Sequence, residues 1–298
     1  MSDPRALVLT ADGLGGSLLA TQCASLIRET GKHVYLGYFS RDETYKPFKF
    51  LFDDLYYTFQ LPAEDEQKAL NDDKYIEDLA RKYGVDEIYF TFPDDLFRGR
   101  HSFDWKKYKT PLNVLKQIRT LRHKYHPEYG NVYVNLFSST PGYLYKDVIG
   151  LLLALCEKLP NYKIRAPFLN EWNGIKVDLG RLPAELPKNL YIYYNPDIIE
   201  QINICRTCEY SIVGDNGFSH LSFHFGQNYL LLDPRINQLP WMARWRQIGM
   251  ENSSPIDLPV SIVAKVVFDN LTIPQSNLLP KYMCQHIQDY SKELLFKY

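Results

Sequence analysis

Long apolar runs are missing from this chain. No stretch of about 18 apolar residues occurs, the length a helix needs to cross a bilayer. Cysteine is scarce, five residues in 298. The odd number excludes a disulfide framework and points to a reduced, cytoplasmic protein. Neither sign of charge prevails: 34 Lys and Arg stand against 35 Asp and Glu, a formal net charge of −1. That excludes a polycation that coats nucleic acid along its whole surface. Repeats and low-complexity tracts are absent. The opening MSDPRALVLT carries an acid near its start and runs straight into a strand-like segment, so it does not read as a secretory leader. No Asp-x-Asp pair occurs anywhere, which removes one common way of holding a divalent cation against phosphates. What is present suits a large globular core: 45% hydrophobic and 23% charged residues, with tyrosine abundant at 23.

The organisation is read from the alternation of strands and helices. Residues 5–10 (RALVLT) read as a strand, ADGLGGS (11–17) as a glycine turn, and Leu18, Leu19, Cys23, Leu26 and Ile27 as one apolar helical face that stops at Gly31. HVYLGYF (33–39) is the next strand, completing a parallel crossover unit. Further strands are expected at 55–59 and 87–92, with a polar helix at 72–83 between them. The second half restarts the pattern. Strands are expected at 131–136, 162–166, 190–194, 209–213 and 228–232, with helices near 145–159, 196–204 and 218–225. The fold class expected is α/β, two Rossmann-like domains facing a central cleft. The first domain is expected to span 1–128 and the second 129–280. An amphipathic helix at 281–298 is expected to pack back on the first.

Residues 209–233, EYSIVGDNGFSHLSFHFGQNYLLLD, carry the sharpest signal. A strand ends at Val213, a tight turn spans Gly214 to Gly217, and a helix begins with Ser219 and His220 in its first turn. Unpaired N–H groups and the positive end of the helix dipole leave such a turn able to hold a diphosphate. Gly217 is expected to let the ligand approach the backbone. The plainer alternative is that Asp215 or Asn216 only caps the helix and His220 packs.

The run VGDNGFSHLSFHFG resembles the Asp-Thr-Gly-x-x-His segment of glycosyltransferase family 9, the ADP-heptose heptosyltransferases. Asp215, Gly217 and His220 match in type and spacing, and Asn216 takes the place of the threonine. Gly13, Gly15 and Gly16 of DGLGG are similar to the N-terminal glycine loop of the same GT-B fold. The resemblance implies a glycosyltransferase that takes a nucleotide-diphosphate sugar as co-substrate, without a cofactor. Asp215, Asn216, Gly217 and His220 would hold the donor, joined by Ser138, Ser139 and Thr140 at the equivalent strand end. Lys146 would supply a cation to the phosphates and Glu171 an acceptor for a ribose hydroxyl. Where the family often carries a glycine–aspartate pair entering the first helix, with the aspartate as proposed base, this chain has Gly16. The nearest aspartate is Asp12.

An inverting transfer needs one carboxylate to take the acceptor's proton. The candidates after first-domain strands are Asp12, Asp94 and Asp95, each equally readable as a solvated turn residue. With no Asp-x-Asp, leaving-group charge falls to helix N-termini and cations, so no metal is expected. Residues 98–124 carry nine Lys and Arg against the single Asp104, with Phe97, Phe103, Trp105 and Tyr108 close by. Arg98, Arg100, Lys106, Lys107 and Arg119 are expected to bind an anionic acceptor. That acceptor is either a lipid-linked or other saccharide or, as in phage enzymes, DNA with hydroxymethylated bases. Arg235, Arg244 and Arg246 follow the last sheet strand within reach of a phosphate, and Cys205 and Cys208 read as packing residues. The rivals of other classes are a Rossmann oxidoreductase and a catalytically dead module that binds sugar nucleotides. Against the first, GLGG lacks the full G-x-G-x-x-G spacing and residues 35–39 offer no acid for a ribose.

Overall fold

The computed structural model describes residues 4–11, 13–91, 119–137, 144–172, 175–176, 178, 180–233, 253–255 and 258–272. β1 (Arg5–Thr10) is buried from Ala6 onward, the pattern of a strand covered on both faces. It feeds α1 (Leu14–Arg28), and Gly31, at φ +83°, turns the chain into β2 (His33–Phe39). α2 (Asp42–Phe52), β3 (Tyr57–Leu61), α3 (Glu66–Asn71), α4 (Asp73–Tyr83) and β4 (Glu87–Phe90) follow. Asp72 caps α4 by accepting from the N–H groups of Lys74 and Tyr75, and Gly84 in the left-handed conformation ends it. The four strands pair in parallel in the order β3-β2-β1-β4.

The second half holds β5 (Glu128–Asn135), α5 (Val148–Lys158), β6 (Lys163–Phe168), a hairpin of β7 (Glu171–Trp172) and β8 (Ile175–Lys176), and β9 (Leu190–Tyr194). Then come α6 (Ile198–Arg206), β10 (Cys208–Gly214), α7 (Gly217–Phe225), β11 (Asn228–Asp233), β12 (Ser253–Pro255) and α8 (Val260–Thr272). Its six-stranded sheet is parallel, in the order β12-β11-β10-β5-β6-β9.

Both sheets start near their middle, run to one edge and restart on the other side of the first strand. The reversals fall between β1 and β4 and between β5 and β10. Open parallel sheets take ligands at such reversals, beyond the carboxyl ends of the strands. Packing stacks the sheets through a shared layer of helices. One buried cluster joins β1, β2, α1 and α2 to α6, α7 and the near face of the second sheet. A second covers the far face of that sheet with α5 and α8, and a third fills the far face of the first sheet under α3 and α4.

The chain between the sheets is tied to both. Lys124 Nζ donates to the carbonyl of Phe50 at 3.0 Å and pairs with Asp54 at 2.7 Å. Tyr125 OH donates to the carbonyl of Cys208 at 3.1 Å.

Candidate functional site

α1 and α7 lie side by side and run parallel. At their starts, a Cβ placed on Gly217 would stand 2.6 Å from Leu14 Cβ, and one on Gly15 would stand 2.8 Å from His220 Cδ2. Two turns further on, Thr21 of α1 and His224 of α7 are joined through Thr120, with Oγ1 to Oγ1 at 3.0 Å and Oγ1 to Nδ1 at 2.8 Å. Thr21 spends its one hydroxyl proton on the carbonyl of Leu18 at 2.7 Å. Thr120 therefore donates to Thr21, and the neutral His224 donates from Nδ1–H to Thr120. Burial is the main reason that His224 titrates well below its ordinary 6.5, with His220 and Arg119 adding to it. Parallel packing brings two positive helix ends to one place, at the carboxyl rims of β1 and β10.

The two ends are finished differently. Asn216 caps α7: its Oδ1 accepts from Phe218 N–H at 2.8 Å, and its Nδ2 donates to Asn135 Oδ1 at 3.2 Å and to the carbonyl of Phe137. Asn135, buried at the end of β5, donates in turn to Tyr133 OH and to Gln201 Oε1. The residue before α1 is Gly13, which is exposed and has no side chain with which to cap the helix; among the described residues no side chain bonds the N–H groups of Leu14, Gly15 or Gly16.

Gly13, Gly15, Gly16, Asp215, Asn216, Gly217 and His220 are thus gathered at the meeting helix starts. Two of them also have a role within the protein. At Gly217, expected to let a ligand approach, Leu14 fills the space that a side chain would need. Asn216, expected to hold the donor, makes three side-chain hydrogen bonds to the protein. His220 packs its ring on Gly15 and is 7% exposed.

Lys146 is exposed beside the start of α5, in an open groove of about 360 Å³ shared with Asp147, Asp178 and Arg181. Glu171, expected in a loop, is exposed at the start of β7. Arg119 is not at the cleft. Its guanidinium lies 3.6 Å over the Phe223 ring at the far end of α7, with Nη1 buried and unbonded. Six residues of helix, a rise of about 9 Å, separate Phe223 from Gly217 at the helix start. A cation there complements the carboxyl end of the helix dipole, which is a packing role rather than the acceptor contact expected. Desolvation lowers its pKa.

Asp12, Asp94, Asp95, Arg98, Arg100, Lys106, Lys107, Ser138, Ser139, Thr140, Arg235, Arg244, Arg246 and the helix expected at 281–298 lie outside the described residues. Cys205 and Cys208 are buried, and burial pushes the Cys205 thiol up to about 12. No local sequence pattern marks Asn135, Gln201 or Leu14 as part of the site. An asparagine ending the apolar strand NVYVN was the one visible hint.

Two parallel sheets of Rossmann-like topology, joined by a helix layer with a rim where helix starts converge, define the GT-B fold. Solved structures agree. A family 9 glycosyltransferase from Veillonella parvula matches with a TM-score of 0.51 at 12% identity, over 99% of this chain and 98% of that one. A proposed UDP-N-acetylglucosamine 2-epimerase from Listeria monocytogenes matches with a TM-score of 0.54 at 10% identity, over 92% and 89%. No protein-family model and no curated protein matches the sequence.

Proposed function

We propose that the chain is a glycosyltransferase that moves a sugar from a nucleotide-diphosphate sugar to a saccharide acceptor, with inversion and without a metal ion. The observation that carries this reading is the convergence of α1 and α7 at the carboxyl rim, with the start of α1 left open by Gly13. In the reaction the bond from the sugar's anomeric carbon to the diphosphate breaks as the acceptor oxygen attacks from the opposite face. The acceptor proton goes to a carboxylate, for which Asp12, Asp94 and Asp95 are the candidates. Charge grows on the leaving diphosphate. Each helix start carries roughly half a positive charge, and open N–H groups of α1 can donate to the phosphate oxygens. That arrangement answers the need an Asp-x-Asp-bound metal meets elsewhere, and this chain has no such motif.

The first test is thermal stabilisation by UDP-, GDP-, ADP- and CMP-sugars. A true donor at 100 times its dissociation constant adds about 2.7 kcal/mol, and no response from any of them would remove the reading. Turnover should survive EDTA unchanged, and strict dependence on Mg²⁺ or Mn²⁺ would overturn the metal-free leaving-group account. Single Asp→Asn changes at the three candidates should cost one variant about 10²–10⁴-fold in turnover with donor binding kept.

The match to the Listeria protein favours one second reading, an epimerase acting on the same kind of donor. Product analysis separates them: transfer consumes the acceptor, whereas epimerisation returns a nucleotide sugar with no acceptor present. DNA as acceptor is separated by salt. Retention on DNA that weakens with a log–log slope near −0.9 per phosphate contact would replace the saccharide reading.

A further inference from the structure

We propose that Asn135 is a positioning residue: it sets Asn216, and through Asn216 the turn from Gly214 to Gly217, in the single arrangement that receives the nucleotide sugar. The inference rests on the proposed function for what the turn binds. Its structural half stands on the hydrogen bonds alone.

Asn135 is the last residue of β5, 1% exposed, and pairs in register with Val213 of β10. Every hydrogen-bonding capacity of its side chain is used. Nδ2 donates to Tyr133 OH at 2.9 Å and to Gln201 Oε1 at 3.2 Å. Oδ1 accepts from Phe137 N–H at 3.3 Å and from Asn216 Nδ2 at 3.2 Å. Gln201 is itself buried and donates from Nε2 to the carbonyl of Pro196 at 3.1 Å. The chain of amides therefore runs from the loop after β9, across the end of β5, to the first turn of α7.

Its direction is fixed. Turning the Asn135 amide over would point its NH₂ at two donors, Phe137 N–H and the Asn216 NH₂. It would also leave Gln201 Oε1 facing an oxygen. Asn216 in turn needs its Oδ1 toward Phe218 N–H, so neither amide can flip alone. A hydrophobic residue would fill the strand end as well for packing. What it would not supply is this orientation of the turn that carries Asp215. A site that discriminates a transition state needs its groups held to about 0.5 Å, and a relay of amides anchored on the buried, fully bonded Asn135 provides that.

The test compares Asn135→Ala, Asn216→Ala, the double variant and Asn135→Asp with the parent. Two readouts are used: amide hydrogen exchange at residues 217–219 in the free protein, and donor and acceptor KM with whichever nucleotide sugar the panel identifies. Asn135→Ala should speed exchange at Phe218 about tenfold. It should raise donor KM about tenfold with acceptor KM unchanged, and the double variant should be no worse than Asn216→Ala. Asn135→Asp keeps the acceptor for Asn216 and Phe137 but puts an oxygen against Gln201 Oε1, so it should recover only part of the donor KM. Gln201→Met removes the distant anchor and leaves Asn135 in place, so it covers the case in which Asn135→Ala fails to fold. It should move exchange at Phe218 in the same direction.

Exchange like the parent in Asn135→Ala and Gln201→Met overturns the proposal, as do effects on donor KM that multiply in the double variant. A parent that binds no nucleotide sugar, with exchange accelerated as expected, refutes the proposed function. It also refutes the ligand half of this inference while upholding the fixing of the turn.

Discussion

The two helices that meet at the site begin in opposite ways. α7 starts under Asn216, whose amide is held by Phe218 N–H, Asn135 and Phe137. α1 starts at Gly13, where a Cβ would meet nothing within 4 Å and, among the described residues, no side chain caps the N–H groups of Leu14 to Gly16. A helix end satisfied from within serves geometry; one left open retains N–H groups for something else. Glycine marks both places, for different reasons. At 217 it makes room for a neighbouring helix, and at 13 no described group stands within 4 Å of where a Cβ would go.

The strongest way to break this comparison is Gly217→Val. Its Cβ would collide with Leu14 Cβ, backbone-near and unable to swing away, so the variant should lose about 3 kcal/mol of stability. Gly13→Ala adds the same first carbon in open space at φ −59°, and should stay within about 0.5 kcal/mol of the parent. Chemical denaturation of both decides it. Equal stability would mean that α1 and α7 do not pack as described.

How much of this was legible beforehand follows from which residues speak locally. The alternation of apolar strands with helices gave the parallel class, because β1, β2, β9 and α7 announce themselves by runs and turns close in sequence. α2 was not anticipated, since Pro47 sits inside it and breaks the usual helical signature. α8 is rich in β-branched valine and isoleucine and likewise lacks a local helical signature. Boundaries moved by two or three residues where no cap marks them: β5 starts at Glu128, ahead of the expected 131. The glycine-rich turns were found by type, yet the reason for Gly217 lies in Leu14, some two hundred positions away, and no local pattern encodes that. Arg119 shows the converse error. Among nine cations in one stretch it looked like part of a basic surface, but its own contact is the Phe223 ring.

Next in size is Asn216→Ala. It removes the cap of α7 and leaves the buried Asn135 Oδ1 and the Phe137 carbonyl without that donor, at a cost of about 1–2 kcal/mol by thermal or chemical unfolding. A variant as stable as the parent would remove the distinction between a closed and an open helix start.

The far ends of the same helices supply a pH effect. His224 is buried and neutral, held by Thr120, and faces His220 on its own helix and Arg119 from the connecting strap. Its folded pKa lies below the unfolded value of 6.5, so below pH 6.5 the unfolded chain binds more protons and stability falls with pH; above 6.5 this contribution is flat. Asp54, whose carboxyl is held low by Lys124 and His123 against the opposing effect of burial, stabilises the fold above the usual carboxylate range and loses that contribution only as pH falls below it, so the windows separate. The melting temperature should drop between pH 6.5 and 5 in the parent and fall less in His224→Asn, which can keep a donor to Thr120. Parallel curves for the two proteins would assign the drop to other groups.

The smallest effect on stability is the most informative about the site. Gly13→Ser gives α1 the kind of cap that α7 already has. The backbone at Gly13, φ −59° and ψ −169°, accommodates a serine whose Oγ can accept from a first-turn N–H, and nothing stands where its Cβ would go. Serine over glycine at an N-cap is worth a few tenths of a kcal/mol, so the melting temperature should rise slightly. If those N–H groups serve the diphosphate, the same hydroxyl competes for them, and nucleotide-sugar binding should weaken as the protein becomes more stable. Calorimetric titration beside thermal unfolding reads both signs in one pair of proteins. A serine variant that gains stability and binds the donor as tightly as the parent would place the phosphates away from α1, and the open helix start would then need another explanation.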